Sequence, residues 1–283
     1  MIGFEQLFRD ADGAPGRPIT VAVAGGADAT VLAALRTAHD RGWIEPQVAD
    51  SEQEIRSRAD EQGLRLDGFT FLDTQQPAQA AVAAVRNGRA RMLMKGQIAT
   101  PALMGAVLDP SHGLRTGRVI CQAALMEIVA SGRRFLLADT GICVQPTLDQ
   151  KQDILGSCVE LARRLGADEP CVAVVSATET PTDAMPDTLE AAELSRRGAA
   201  GELGRCQVAG PLSFDLAYSA DAAEKKRKAG PVVGAADVKA IMYTADCRFG
   251  GVLLGAACPV VFMSRADSVE TRLRSLALAM KMI

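Results

Sequence analysis

Histidine occurs only twice in the 283 residues, at positions 39 and 112, and aromatic residues make up only 4 % of the chain. So few rings exclude a surface that stacks successive nucleobases. A basic excess is also missing: the formal net charge is −3, whereas nucleic-acid binders carry a basic footprint. No two of the seven cysteines stand at CxxC spacing, so the paired spacings of a structural zinc site are absent. Their odd number and apolar surroundings fit reduced thiols in a cytoplasmic protein. There is no long hydrophobic run. The longest uncharged stretch, Phe249 to Ser264, falls short of a ~20-residue membrane span and is interrupted by Gly and Pro. The first residues carry charges at Glu5 and Arg9 and lack a basic-then-apolar leader, so no secretory signal is expected. Nucleotide P-loop, GxGxxG and GxSxG patterns are all lacking.

What remains is an ordinary globular composition, 48 % hydrophobic and 23 % charged, in a chain long enough for two domains. Short apolar runs alternate with helical patterns. Ile19 to Ala24 reads as a buried strand, turned by Gly25-Gly26, with Asp28 capping a helix to about Asp40. Arg91 to Met94 is a second strand, followed by a helix opening at Thr100-Pro101. Phe135 to Ala138, Cys171 to Val175, Gly251 to Leu254 and Val260 to Met263 read as further strands. Gln152 to Leu165 is an amphipathic helix, and a last helix is expected from Ser264 onward, carrying Val269, Leu273, Leu276 and Met280 on one face. Alternation of helices with continuously apolar strands predicts an α/β fold with a parallel sheet covered on both faces. In such folds ligands sit beyond the carboxyl ends of the strands. The Lys-Lys-Arg-Lys run at 225–228 reads as a solvated charge run.

Three constellations occupy such turns. In Met94-Lys95-Gly96 to Thr100, a buried strand ends in Lys and Gly before a helix start. Lys95 reads equally as an anion ligand beside helix N-terminal amides or as a solvated charge. In Gly113 to Arg118, Arg115 and Arg118 offer fork-shaped donors flanked by glycines with room for a phosphate. In Ser264-Arg265-Ala266-Asp267-Ser268, Ser264 and Asp267 can cap the last helix, but Arg265 at its N-terminus would oppose the macrodipole. A local cost without evident gain points to function.

Together these residues resemble the phosphate acetyl/butyryltransferase family, the butyryltransferase branch more than the acetyltransferase branch. The matching stretches are Leu93-Met94-Lys95-Gly96 with Thr100; Gly113 to Arg118; Asp139 with Pro146-Thr147-Leu148; Val174 to Ala177 with Glu179; Met185-Pro186; Gly210 to Asp215; and Ser264 to Ser268. They run in family order from about residue 90 onward. The resemblance implies two α/β/α domains with a cleft, like the isocitrate/isopropylmalate dehydrogenases. Residues 1–117 plus 260–283 would form the first domain, and 118–259 the inserted second. It further implies a cytoplasmic homodimer or higher homo-oligomer, with no nucleic acid or membrane as partner. The implied reaction converts acyl-CoA plus phosphate to acyl phosphate plus CoA, with CoA as substrate and no tightly bound cofactor or metal.

For that chemistry Ser264, Arg265 and Asp267 are the expected catalytic residues. Asp267 would take the proton of the CoA thiol, which is only a few per cent ionised near pH 7. Arg265 and Ser264 would stabilise the developing negative charge. Lys95, Gly96, Thr100, Arg115, Thr116 and Arg118 are the expected substrate-binding residues. The acetyltransferase branch places its base later, near Glu270-Thr271, so Asp267 and Glu270 both stand as candidates. The chain departs from the family at Leu103 to Ala106, where relatives carry Arg, and at Cys143, where they carry Asn. Ala236 to Ala240 is short by about a dozen residues, a strand and its loop. These departures motivate a catalytically impaired CoA-binding relative as the alternative. An oxidoreductase of the same fold would need clustered Asp ligands, and no DxxxD cluster stands near the C-terminal turns.

Overall fold

The structure is a computed structural model that describes residues 1–13, 18–218 and 246–283. The shortened stretch 236–240 and the basic run 225–228 lie outside the described residues. In chain order, the elements begin with α1 (Phe4–Gly13), β1 (Ile19–Ala24), α2 (Ala29–Asp40), β2 (Ile44–Asp50), α3 (Glu52–Glu61) and β3 (Thr70–Asp73). Next come α4 (Pro77–Arg86), β4 (Met92–Lys95), α5 (Thr100–Leu108), β5 (Cys121–Ile128), β6 (Arg134–Leu137), α6 (Leu148–Arg164) and β7 (Cys171–Val175). The last are α7 (Pro186–Ala199), β8 (Gln207–Leu212), α8 (Phe214–Tyr218), β9 (Cys247–Leu254), β10 (Val260–Val261) and α9 (Val269–Met280).

These elements form two compact units. A terminal unit comprises Gly3–Gln122 with Phe249–Ile283, and a middle unit comprises Met1–Ile2 with Ala123–Arg248. The division therefore falls inside β5 and inside β9, so the chain passes between units in extended strand.

In the terminal unit the strands run in the order β3-β2-β1-β4-β10-β9. Pairing is parallel from β3 to β10, with Ala24 opposite Lys95 and Val261 opposite Met94. The expectation of an all-parallel sheet needs correction at β9, which runs antiparallel to β10. A parallel crossover takes a dozen or more residues, and the short link between Leu254 and Val260 cannot supply it. In the middle unit β5 and β6 are antiparallel for the same reason. Strands buried on both faces look alike in sequence whichever way they run.

The central strand β4 is buried along its whole length, and so are Val21 to Ala24 of β1 beside it. Asp28 caps α2, accepting hydrogen bonds from the amides of Thr30 and Val31 at 3.0 Å each, and Val31, Leu32 and Leu35 face the core. The chain leaves β1 and β4 side by side. The Gln97 amide donates to the Gly25 carbonyl at 2.6 Å, and a Cβ at Gly96 would lie 1.9 Å from that same oxygen. Backbone cannot yield as a flexible side chain does. Gly96→Ala is therefore expected to destabilise by about 1–3 kcal/mol, read as a lowered urea midpoint at unchanged m-value.

In the middle unit β7 pairs in parallel with β8. A capping box opens α6: the Gln150 amide donates to Thr147 Oγ1, and Gln150 Oε1 accepts from the Thr147 amide. A cavity of about 1000 Å³ lies in this unit between β6, β7 and α6, lined mainly by apolar residues such as Leu136, Ile154, Val159 and Val174. None of the sequence-predicted site residues lines it. None of the seven cysteines forms a disulfide. Cys121, Cys206 and Cys258 are buried, Cys143, Cys158 and Cys247 are half-buried, and Cys171 is exposed. Burial pushes the Cys258 thiol up to about 12. Among the described residues no helix is long and apolar enough to cross a membrane.

Candidate active site

The strand order fixes where a ligand would sit in the terminal unit. From β1 the chain builds outward through β2 to β3, then returns to the other side of β1 as β4 and continues to β10. The order thus reverses between β1 and β4, and crevices open at the carboxyl ends of strands at such a switch point. Those ends carry Gly25-Gly26 after β1, Lys95-Gly96 at the end of β4, and the turn from Ser264 after β10.

The apolar run Met92-Leu93-Met94 draws Lys95 inward with it, leaving the residue 2 % exposed. Its Nζ lies 3.5 Å from the Gly96 carbonyl and 6.0 Å from the centre of the Phe262 ring, and no carboxylate forms an ion pair with it among the described residues. Burial lowers the Lys95 pKa, and the charges of Arg265 and Arg272 lower it further, against an opposing pull from Asp267.

The segment from Ser264 to Asp267 is not the first turn of the last helix, contrary to the sequence expectation. Helix α9 starts at Val269, and Ser268 is its N-cap, accepting from the Thr271 amide at 3.2 Å. Ser264 and Asp267 close a separate turn on each other. The Ser264 amide donates to Asp267 Oδ2 at 2.6 Å, and the Asp267 amide donates to the Ser264 carbonyl at 3.2 Å. Asp267 Oδ1 has no hydrogen-bond partner among the described residues. The macrodipole argument against Arg265 loses its footing, because Arg265 precedes the N-cap. Arg265 instead stands exposed, and among the described residues its side chain makes no hydrogen bond or ion pair. Burial raises the Asp267 pKa, although the Ser264 amide and the charges of Arg272 and Lys95 pull it down. The competing candidate, Glu270, is exposed and paired with Arg274 at 3.2 Å.

Arg272 belongs to this cluster and was not singled out from the sequence. It is 0 % exposed, and one terminal nitrogen, Nη2, lies 3.4 Å from the Ser264 carbonyl, while Nε and Nη1 have no hydrogen-bond partner among the described residues. Helix α9 is buried on nearly every side from Thr271 to Met280, and Arg272 is buried with it while Arg274 stays half-exposed. Asp28 completes the group. Burial raises its pKa, but the cap hydrogen bonds from Thr30 and Val31 and the charge of Arg272 outweigh this and hold it below the usual carboxylate range.

Thr100 opens α5 and is exposed. The turn bearing Arg115, Thr116 and Arg118 is exposed as well and is pinned elsewhere. Thr116 Oγ1 donates to the Gly255 carbonyl at 2.6 Å, and Arg115 bridges to Ala256. Among the described residues no hydrogen bond or ion pair ties Arg115 or Thr116 to the Lys95 group. Thr116→Val is expected to cost about 0.5–1.5 kcal/mol in chemical denaturation, from loss of the bond to Gly255. The structure thus gathers Lys95, Gly96, Ser264, Arg265 and Asp267, adds Asp28 and Arg272, and leaves residues 115–118 on a turn of their own. Among the described residues no three His, Cys, Asp or Glu side chains gather in a way that could hold a metal ion.

Known proteins are similar to this chain in sequence and in fold. Phosphate butyryltransferase of Clostridium acetobutylicum is 36 % identical over 275 residues, spanning 92 % of this chain and 91 % of that protein. Phosphate acetyltransferase of Thermotoga maritima is also 36 % identical, over 281 residues that span 94 % and 96 %. The crystal structure of a branched-chain phosphotransacylase from Enterococcus faecalis superposes with a TM-score of 0.79 at 30 % identity, covering 94 % of this chain and 99 % of that one. A 4-hydroxythreonine-4-phosphate dehydrogenase from Klebsiella pneumoniae, 12 % identical with a TM-score of 0.53 over 94 % and 99 % of the two chains, shares the fold alone. The fold is thus of the dehydrogenase-like α/β class. The phosphate acetyl/butaryl transferase family model matches residues 73–280, which take in all three constellations read from the sequence, and the chain belongs to that family.

Proposed function

We propose that this protein interconverts a short-chain acyl-CoA plus phosphate with an acyl phosphate plus CoA, by direct transfer between the two bound substrates. The supporting observation is the group at the switch point. Buried Lys95 and exposed Arg265 bring two cations without a carboxylate ion pair beside Asp267, whose basicity burial has raised. In the direction of acyl-CoA synthesis, Asp267 accepts the thiol proton as sulfur attacks the acyl carbon. The C–S bond forms, the bond from the acyl carbon to the phosphate oxygen breaks, and phosphate departs with the electron pair. Arg265 and the Ser264 hydroxyl stabilise the tetrahedral oxyanion. Lys95 attracts the phosphate, and Gly96 lets the chain leaving β4 pass close to Gly25 after β1. Arg115, Thr116, Arg118 and Thr100 take the outlying phosphates of CoA. Glu270, exposed and paired with Arg274, stands outside this group. CoA is substrate rather than resident cofactor, and the enzyme works in the cytoplasm as a homodimer or larger homo-oligomer.

The test is phosphate-dependent release of free CoA from acetyl-, propionyl- and butyryl-CoA. Release that requires phosphate establishes the transferase and ranks the acyl chains, a choice in which each methylene is worth about 1–3 kcal/mol. A folded protein that binds CoA calorimetrically without turnover would favour the catalytically impaired alternative.

A further inference from the structure

Arg272 is a fully buried charge in the terminal unit. A buried guanidinium without a paired carboxylate is destabilising by several kcal/mol, and replacing such a charge by an apolar side chain of similar volume is often neutral or stabilising. Here two of the three guanidinium nitrogens are buried without a hydrogen-bond partner, and no ion pair relieves the charge among the described residues. The fully buried nitrogens leave no room for a ligand to touch them. What the side chain does reach is the underside of the Ser264–Asp267 turn, through the Ser264 carbonyl at 3.4 Å.

We propose that Arg272 is a positioning residue for the transfer reaction: from beneath the Ser264–Asp267 turn it holds the turn in place through the Ser264 carbonyl and sets a fixed, buried positive charge against the turn that carries the Asp267 carboxylate. This rests on the transferase reading given above and assigns a role to a residue that does not meet substrate. The charges acting on Asp267 are Lys95 from the end of β4 and Arg272 from α9; Arg265 within the turn acts on Lys95, and Asp28 before α2 acts on Arg272. Asp28 acts on Arg272 through its charge without forming an ion pair with it among the described residues, its carboxylate accepting the α2 cap hydrogen bonds. Burial raises the Asp267 pKa, the charges of Arg272 and Lys95 oppose that rise, and Arg272 does so from a fully buried position.

The experiment compares the wild type with Arg272→Met and Arg272→Lys. The Asp267 carboxyl is followed by ¹³C NMR titration, and the acid limb of kcat/KM for CoA release is measured alongside. Arg272→Met should move both upward by about one pH unit, the shift expected on losing a nearby opposite charge. It should also lower kcat about ten-fold while the thermal midpoint holds or rises. Arg272→Lys keeps the charge but loses the guanidinium, so the limb stays in place while kcat falls several-fold. An Asp267 titration and acid limb unmoved by Met would overturn the proposal. If the Met variant does not fold, the Lys variant decides: a shifted limb or an undiminished kcat overturns the role. A wild type that releases no CoA with phosphate sinks the transferase reading instead, and the NMR titration still tests the coupling of Arg272 to Asp267.

Discussion

Arg265→Ala is expected to lower kcat for phosphate-dependent CoA release by about 10²–10³-fold, the loss typical of removing one donor that stabilises a transition-state oxyanion. The thermal midpoint should stay within about a degree or two, because a surface substitution away from packed features changes stability by no more than about 0.5 kcal/mol. This combination follows from geometry. Arg265 is exposed, and its side chain makes no hydrogen bond or ion pair among the described residues. It cannot be retained for the fold's sake by any contact the structure describes. Its neighbours Ser264 and Asp267 close the turn without it. Arg265→Lys should recover only part of the loss, since an ammonium lacks the forked donors that suit a phosphate or a tetrahedral oxyanion. Steady-state kinetics on purified protein, with calorimetry of the fold, decides it. A variant with full kcat would remove Arg265 from the reaction.

The second large effect is expected from Asp267→Asn. Loss of a general base typically costs about 10²–10⁴-fold in rate. An Asn Oδ1 can still accept the Ser264 amide, so the turn should persist and the protein should fold. The pH profile carries the sign. Burial raises the Asp267 pKa, and the base works only when ionised, so wild-type kcat/KM should fall as pH drops through a value above the ordinary carboxylate range. In Asp267→Asn that acid limb should disappear, leaving a low and flatter profile. Glu270→Gln serves as the control. Glu270 is exposed and engaged by Arg274, so its neutralisation should leave kcat within about two-fold and change stability only by the 0.3–0.5 kcal/mol or so of a surface helix pair. If the limb survives in Asp267→Asn and vanishes in Glu270→Gln, the two assignments exchange.

The parts of the fold legible in the sequence were those in which one local signal sufficed. Strand β1 is an unbroken apolar run ended by two glycines, and Asp28 stands where a cap belongs, so β1 and α2 emerge with their observed limits. Strand β7 coincides with its apolar run as well. Elements with mixed signals did not emerge. Strand β2 contains Glu45 and Pro46, and α3 buries only Ile55 and Ala59 among ten mostly polar residues. Strand direction was also hidden. That β9 is antiparallel to β10 follows from the short link between them, not from residue type.

The candidate site was legible to the extent that sequence neighbours share a turn. Lys95 and the Ser264–Asp267 segment each sit at a strand's carboxyl end, and a strand end can be read from an apolar run. Which of the two serines caps the helix could not be read so directly. Ser264 and Ser268 are equally good caps, and tertiary context gives the role to Ser268. Arg272 escaped because a helix pattern marks the apolar face and is silent about a cation within it. Its meaning arises only from Ser264, Asp28 and Lys95, which are far apart in the chain except for the first.

The spread of cysteine environments governs how the activity can be assayed. A disulfide reagent that reports free CoA by colour reports any reactive protein thiol as well. Cys171, being exposed, will consume the reagent at the outset. Cys258, with its thiol pushed up to about 12, will remain almost entirely un-ionised at assay pH and hence silent while the fold holds. The colour should therefore begin with a step proportional to enzyme, followed by a slope proportional to turnover. A slower step larger than the half-buried Cys143, Cys158 and Cys247 can supply would signal that the core has opened, so a single trace reports catalysis and the loss of the fold at once.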